Sequence, residues 1–427
     1  ASTYSIMGET EKAIRLYEKL VKRDPANADL VNNLAAVYQA SGRIDEAADA
    51  YARAIKSDPV NAQFHVNLGN LYLMMNRNGK AKEEFERALS LDMDLAGGLI
   101  GVGKIFRDQG DYRTARAYFQ KALKNNSRSW EAHGELGILD EMEGKFDQAI
   151  YRYTQTLRIR PGSARFTRAL ASTYMKKGDY ESAIALYRQL VSMDKGSADS
   201  YGELGLALVE AGKHYDAIEA LKTALDKDPG NPRFLNGLGR AYLVLDKGQM
   251  ARSCFEEVLK ADPDNLDARL QVGVLEYQAK NWARAEKYLR GVLAMNPASV
   301  DARYYVGMVE IAKERYDEAM KHFEELRSRI STDARIFYGL GLAIAKQGDT
   351  QRGIEYFTKA IELNPKHLDA RWELAKIYER LDYREMAYRE FKAILKTDPN
   401  HPLKNLIAER MERLRDEGVE DTDVRKY

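Results

Sequence analysis

The chain has 427 residues, 44% of them hydrophobic and 31% charged, and its 66 Lys and Arg against 65 Asp and Glu leave a formal net charge of +1. So even a balance supplies no long-range field to gather nucleic acid or anionic lipid. The single cysteine, Cys254, excludes an internal disulfide, and no stretch of about 18 apolar residues offers a membrane span.

In chain order, the opening ASTYSIMGETEKA enters midway through a pattern, with Ala1 and Tyr4 already in phase. It is expected to lack the first half of its first unit, with more chain upstream. Helix pairs then begin at Ala28, Ala62, Ala96, Trp130, Ala164, Ala198, Pro232, Leu266, Val300, Ala334 and Leu368, one every 34 residues. The stretch from Asp301 to Leu326 shows the unit: two short amphipathic helices meet at a turn, and each carries an apolar stripe that it cannot bury alone. Steps of 34 from Gly307 land only on Gly or Ala, from Ala35 and Gly69 to Gly341 and Ala375. The same steps from Ala319 land on Ala, with Gly353 the one variant, and four residues later stands a large residue such as Tyr17, Phe85, Leu221 or Phe323. Pro25, Pro59, Pro161, Pro229, Pro263, Pro297, Pro365 and Pro399 share one phase and stop the second helices, because proline cannot continue them. Asp or Asn in the turns DPAN, DPVN, DPGN and DPDN suits helix capping. Within a unit the turn is often glycine, as at Gly42, Gly110, Gly144, Gly178, Gly212 and Gly348. After Pro399 the period ends. Residues 403–416 read as one amphipathic helix covering the last repeat, followed by a polar, fraying tail.

This pattern resembles the tetratricopeptide repeat: a small residue at the eighth place, Ala at the twentieth, an aromatic at the twenty-fourth and Pro near the thirty-second, all in phase over about twelve repeats. The resemblance implies an all-α, right-handed α-solenoid of antiparallel helix pairs, spanning residues 1–401, with residues 402–427 as capping helix and tail. It further implies a non-enzymatic scaffold that binds a protein or peptide and assembles a complex. The alternative is the regulatory or substrate-reading arm of a larger enzyme or of a bacterial envelope machine.

The search for chemistry yields little. Gly98 to Lys104, GLIGVGK, approaches a phosphate loop, but Ile105 replaces the magnesium-binding hydroxyl and no strand precedes it. Gly97, Gly98, Gly101 and Gly103 are expected to soften that helix, each costing roughly 1 kcal/mol relative to Ala. The six histidines fall in different repeats without ligand spacing. No cofactor, metal or catalytic group is expected. The compartment is expected to be aqueous, cytoplasmic before periplasmic, unless an upstream segment carries a signal or anchor.

If the family architecture holds, first helices line a concave groove, reached from the second, fifth, sixth, ninth, twelfth and thirteenth places of each repeat. Asn32, Asn33, Gln39, Asn67 and Asn70 resemble the start of an asparagine ladder for a peptide backbone. Charges then alternate by repeat: Lys104 and Arg107; Glu131, Glu135 and Glu141; Arg165, Arg168 and Lys176; Asp199, Glu203 and Glu210; Arg233 and Arg240. Neighbouring repeats that neutralise one another would account for this, each exposed pair being worth little. Further on, Tyr277, Tyr304, Tyr305, Met308, Ile311, Tyr338, Leu342 and Trp372 form an aromatic and apolar patch suited to a helix or an extended peptide. These residues, with the basic groove positions, are the candidate partner-binding set. If the rings face the groove, changing Tyr304 and Tyr338 to Ala is expected to abolish capture with melting nearly unchanged, whereas a loss of several kcal/mol would place them in the core. Self-association through the cut N-terminal face is the remaining expectation.

Overall fold

The computed structural model describes residues 10–419, and all regular structure there is helical. Two compact units divide the chain, residues 1–227 and 228–427. The first opens on α1 (Thr10–Arg23). Pairs follow: α2 (Ala28–Ala40) with α3 (Ile44–Ser57), α4 (Ala62–Met74) with α5 (Asn78–Leu91), and α6 (Ala96–Asp108) with α7 (Tyr112–Asn125). It is completed by α8 (Trp130–Met142) with α9 (Phe146–Ile159), α10 (Ala164–Lys177) with α11 (Tyr180–Met193), and α12 (Ala198–Glu210) with α13 (His214–Lys227). The second unit holds α14 (Pro232–Val244) with α15 (Gly248–Ala261), α16 (Leu266–Gln278) with α17 (Trp282–Met295), and α18 (Val300–Ala312) with α19 (Tyr316–Arg329). Then come α20 (Ala334–Gln347) with α21 (Thr350–Leu363), α22 (Leu368–Arg380) with α23 (Arg384–Thr397), and finally α24 (Lys404–Asp416). Residues 1–9 and 420–427, and with them the expectations about the opening segment and the far tail, lie outside the described residues.

Local chemistry sets the ends of these helices. The Asn27, Asn61, Ser129, Ser197, Asn265 and Ser299 side chains accept a hydrogen bond from the first turn of the helix that follows. The turn glycines sit in the left-handed region, Gly42 at φ +78° for example. Where glycine is missing, Asn76, Asp246, Lys280, Glu314 and Asp382 adopt the same conformation, at φ between 55° and 61°. The turn is therefore dictated by the repeat geometry rather than by the residue that occupies it.

Packing follows the period. Ala13, Ala47, Ala81, Ala115 and Ala149 are wholly buried, as are Phe85, Phe119, Tyr153, Phe255, Phe323, Phe357 and Phe391. Each ring fills the hole between two repeats. The glycines of α6 serve this packing and are not there to soften the helix: a Cβ at Gly101 would meet Phe85 at 2.4 Å, at Gly103 Phe119 at 2.5 Å, and at Gly97 Val66 at 2.8 Å. First helices of successive repeats touch directly from α2 to α8 in the first unit and from α16 to α22 in the second. Over those stretches each unit therefore bends toward its first helices, whose outward surface is the inner side of the curve. At the C-terminal end, α24 buries Ile407 and Leu414 against Phe391 and Ile394 and closes the core, with Val419 in the same cluster. No helix among the described residues is long and apolar enough to cross a membrane.

Three acidic residues enter this core unannounced by the periodicity. Asp140, Glu276 and Glu310 occupy the place that holds Tyr38, Tyr72, Tyr174, Tyr242 or Tyr378 in other repeats. Each is paired. Arg116 lies 2.8 Å from Asp140, Arg284 and Arg252 lie 3.0 and 3.4 Å from Glu276, and Arg290 and Arg315 lie 2.6 and 2.5 Å from Glu310. A buried carboxylate is tolerated because these guanidiniums reach it from partly exposed positions.

Candidate functional site

On the inner side of the second unit, α16, α18 and α20 bring tyrosines together. The Tyr304 ring stands 5.3 Å from that of Tyr305 and 5.8 Å from that of Phe323. Tyr305 is in turn 5.5 Å from Tyr277. Tyr338 packs 4.9 Å from the His367 ring and 6.0 Å from Phe357. The Arg335 guanidinium lies 5.4 Å from the centre of the Tyr304 ring and is held by Asp301 at 2.9 Å and Asp333 at 2.8 Å. Burial pushes all four phenols up, and the exposed carboxylate of Asp369 on α22 adds to the effect on Tyr277, Tyr304 and Tyr338. They stay neutral at physiological pH, as both donors and acceptors. None of the four hydroxyls bonds to protein among the described residues.

The rest of the predicted patch divides. Met308, Ile311 and Leu342 are core residues, 8%, 5% and 9% exposed, in one cluster with Tyr304. Their stripe points between the helices, so they support the tyrosines and offer the inner surface little. Tyr304 is itself 8% exposed, and Tyr277, Tyr305 and Tyr338 are half-buried against the same cluster. Trp372 belongs to a different cluster, packed 5.7 Å from Phe391 with the Arg410 guanidinium 5.4 Å from its ring. Arg233 and Arg240 lie on the exposed side of α14.

In the first unit the alternating charges meet. Arg168 donates to Glu203 at 2.8 Å and Lys176 to Glu141 at 2.7 Å. Lys104, Arg107 and Arg165, from α6 and α10, converge on Glu135 of α8, whose side chain is only 3% exposed. Arg107 hydrogen-bonds it, while Lys104 and Arg165 stand 3.8 and 3.6 Å away. These residues line a cavity of about 400 Å³ together with Asn70, Asn76, Asn78 and Asp108. The asparagine ladder is partly spent on itself, since Asn67 donates to Asn32 at 2.9 Å.

The sequence shows an arginine recurring at the fourth place, where a large residue is usual, but assigns it no role. Arg269, Arg303 and Arg371, at the fourth place of their repeats, each donate to the carbonyl of the preceding turn proline, and Arg303 and Arg371 also bond Glu325 and Glu390, each at 2.5 Å. They clamp turns. The signal was legible as Arg in a slot usually filled by a large apolar residue.

Comparison with known proteins agrees with this architecture. Among solved structures, the APC/C hetero-tetramer Cut9-Hcn1 superposes with TM-score 0.51 at 14% identity, covering 97% of this chain and 95% of that chain. A tetratricopeptide repeat protein from Parabacteroides merdae gives TM-score 0.51 at 21% identity, over 59% of this chain and 99% of that one. At such identities the likeness is one of fold. A UDP-N-acetylglucosamine–peptide N-acetylglucosaminyltransferase of Giardia intestinalis is 32% identical over 65 residues, 15% of this chain. An uncharacterized protein of Methanocaldococcus jannaschii is 46% identical over 37 residues, 9% of this chain. The matched segments span only 4% and 43% of those two relatives. The family profiles reach much further: tetratricopeptide repeat profiles match residues 6–65, 40–96, 141–204, 208–271 and 345–409, and a second set of the same description matches 103–164 and 273–335. With its 34-residue period, its helix pairs and profile matches along most of its length, the chain belongs to the tetratricopeptide repeat family.

Proposed function

We propose that the chain is a non-enzymatic interaction scaffold that holds a protein or peptide segment on the inner face of its second unit and so assembles a multiprotein complex. One observation carries this reading: Tyr277, Tyr304, Tyr305 and Tyr338 have their rings fixed in or against the core, while their hydroxyls have no protein partner among the described residues. Rings already immobilised lose little entropy on binding, and each hydroxyl can donate to or accept from a peptide unit. The neutral overall charge favours a protein ligand over nucleic acid.

The test is to select peptides from a displayed random library on the full chain, then titrate them into the wild type and into Tyr277→Phe with Tyr338→Phe. These changes remove two hydroxyls and keep the rings. The expected result is affinity lower by about tenfold, or ~1.4 kcal/mol, at unchanged melting temperature. Selected peptides that bind both forms alike would move the site elsewhere.

A second reading, that this is the substrate-recognition arm of a larger enzyme, is supported by the short match to the Giardia transferase. It predicts that peptides selected on this chain recur in substrates modified by the enzyme with which it copurifies. Selected peptides absent from those substrates count against it.

A further inference from the structure

The charges beside the four tyrosines name the chemistry of their guest. Building on the assignment of that face as a binding surface, we propose that it takes a basic segment of a partner protein. A lysine or arginine side chain of the guest is held between the Asp369 carboxylate and the phenols of Tyr277, Tyr304 and Tyr338.

The second place of each repeat forms a row in the second unit: Asp267, Asp301, Arg335 and Asp369, one on each of α16, α18, α20 and α22. Arg335 reaches back along this row to Asp301 at 2.9 Å and bonds Asp333, the cap of its own helix, at 2.8 Å. Its guanidinium is thus engaged twice. The next residue of the row, Asp369, is exposed and has no cation within ion-pair distance among the described residues. Its charge nevertheless acts on the phenols of Tyr277, Tyr304 and Tyr338. Glu373, one turn further along α22, also acts on Tyr338, but Lys376 holds it at 2.8 Å. Three carboxylates, Asp301, Asp333 and Asp369, therefore surround a single guanidinium, and the excess charge is negative. A guest carboxylate is repelled there, whereas a guest cation completes the row.

An ammonium or guanidinium beside Asp369 meets two kinds of acceptor: the carboxylate oxygens and phenol hydroxyls that bond to no protein group among the described residues. The tyrosine rings add their negative faces. Arg335, 5.4 Å from the centre of the Tyr304 ring, is an internal case of the same contact. Because Tyr304 is only 8% exposed and sits in the core cluster, its ring needs no further ordering when a cation arrives.

The experiment uses the full chain and fluorescein-labelled, C-terminally amidated hexalysine, read by fluorescence anisotropy at low and at physiological salt. Hexaarginine and hexaglutamine with the same ends are run beside it. Hexalysine or hexaarginine is expected to bind more tightly than hexaglutamine, and the tighter of the two identifies the preferred cation. That peptide should lose about fivefold affinity in Asp369→Asn, the effect of one exposed ion pair, and nothing in Asp226→Asn, which removes an exposed carboxylate of the first unit. Arg335→Gln is expected to tighten it, because Asp301 and Asp333 are released, a sign opposite to that of Asp369→Asn. Melting curves confirm that each variant is folded. Hexaglutamine binding as tightly as both basic peptides, or equal affinity of the wild type and Asp369→Asn for them, would overturn the proposal. In that event the tyrosine face still stands if Tyr277→Phe with Tyr338→Phe weakens the library-selected peptides, and falls as well if those peptides bind both forms alike.

Discussion

The ring of Phe85 leaves no room for a side chain on Gly101, where a Cβ would stand 2.4 Å from it. The same ring lies against Gly69 of its own repeat, at 2.7 Å from the corresponding Cβ position, so one phenylalanine fills the space between two consecutive repeats. Phe323 does the same between Gly307 and Gly339, at 2.7 and 2.5 Å. Gly101→Ala is expected to cost about 1–3 kcal/mol through overpacking, measured by urea unfolding. Gly79→Ala, where nothing lies within 4 Å, should instead gain about 0.5–1 kcal/mol from helix propensity. Equal effects of the two changes would refute the close-approach account.

Tyr304 is 8% exposed, and cutting it to Ala empties a core site. Of the two expectations for Ala at this position, burial favours the loss of stability over unchanged melting. Tyr304→Ala is expected to destabilise the second unit by about 3–5 kcal/mol. Tyr304→Phe, which keeps the ring, should stay within about 1 kcal/mol of the wild type. Denaturant titration followed by circular dichroism distinguishes the two. A Phe variant as unstable as the Ala variant would assign the stability to the hydroxyl.

Glu286 answers to pH. Burial alone would raise its carboxyl, but hydrogen bonds from Lys313 and Arg290 and the nearby Arg315 outweigh that and hold it at about 2. Its folded value lies below its unfolded one, so it stabilises the second unit fully above about pH 4.5 and loses that contribution as pH falls toward 2. Glu286→Gln is expected to lower stability at pH 7 by roughly 2 kcal/mol, less than the full shift implies because solvent screens pairs with half-exposed arginines. The gap from the wild type should close near pH 2. Melting temperatures measured from pH 2 to 7 test this, and a gap that stays constant would rule out the linkage.

Glu314 occupies a left-handed turn position, φ +60°, that six other repeats give to glycine. A side chain there carries a steric cost that glycine lacks, partly offset by glycine's greater freedom in the unfolded chain. Glu314→Gly should therefore stabilise by about 0.5–1 kcal/mol, seen as a higher urea midpoint with unchanged slope. A lower midpoint would mean that the Glu314 side chain contributes more than its backbone conformation costs.

The sequence by itself determined the repeat. Small residues in phase with Gly307 and Ala319 recur every 34 residues, as do a ring or Leu in phase with Phe323 and, in eight repeats, a proline in phase with Pro297, and each acts through local chemistry: close approach, hole filling or helix termination. That is why the helix pairs, their boundaries and the capping helix Lys404–Asp416 were legible without coordinates. What only the tertiary structure decided is which way each helix is rolled about its own axis. Places that family geometry points inward hold Met308, Ile311 and Leu342 in the core, because the packing of rings such as Phe323 sets the roll. It also decided that Lys104, Arg107 and Arg165, up to 61 residues apart in sequence, share one buried carboxylate at Glu135. Charge order along the chain showed that signs alternate. Only the stacking of α6, α8 and α10 brings those charges to one point.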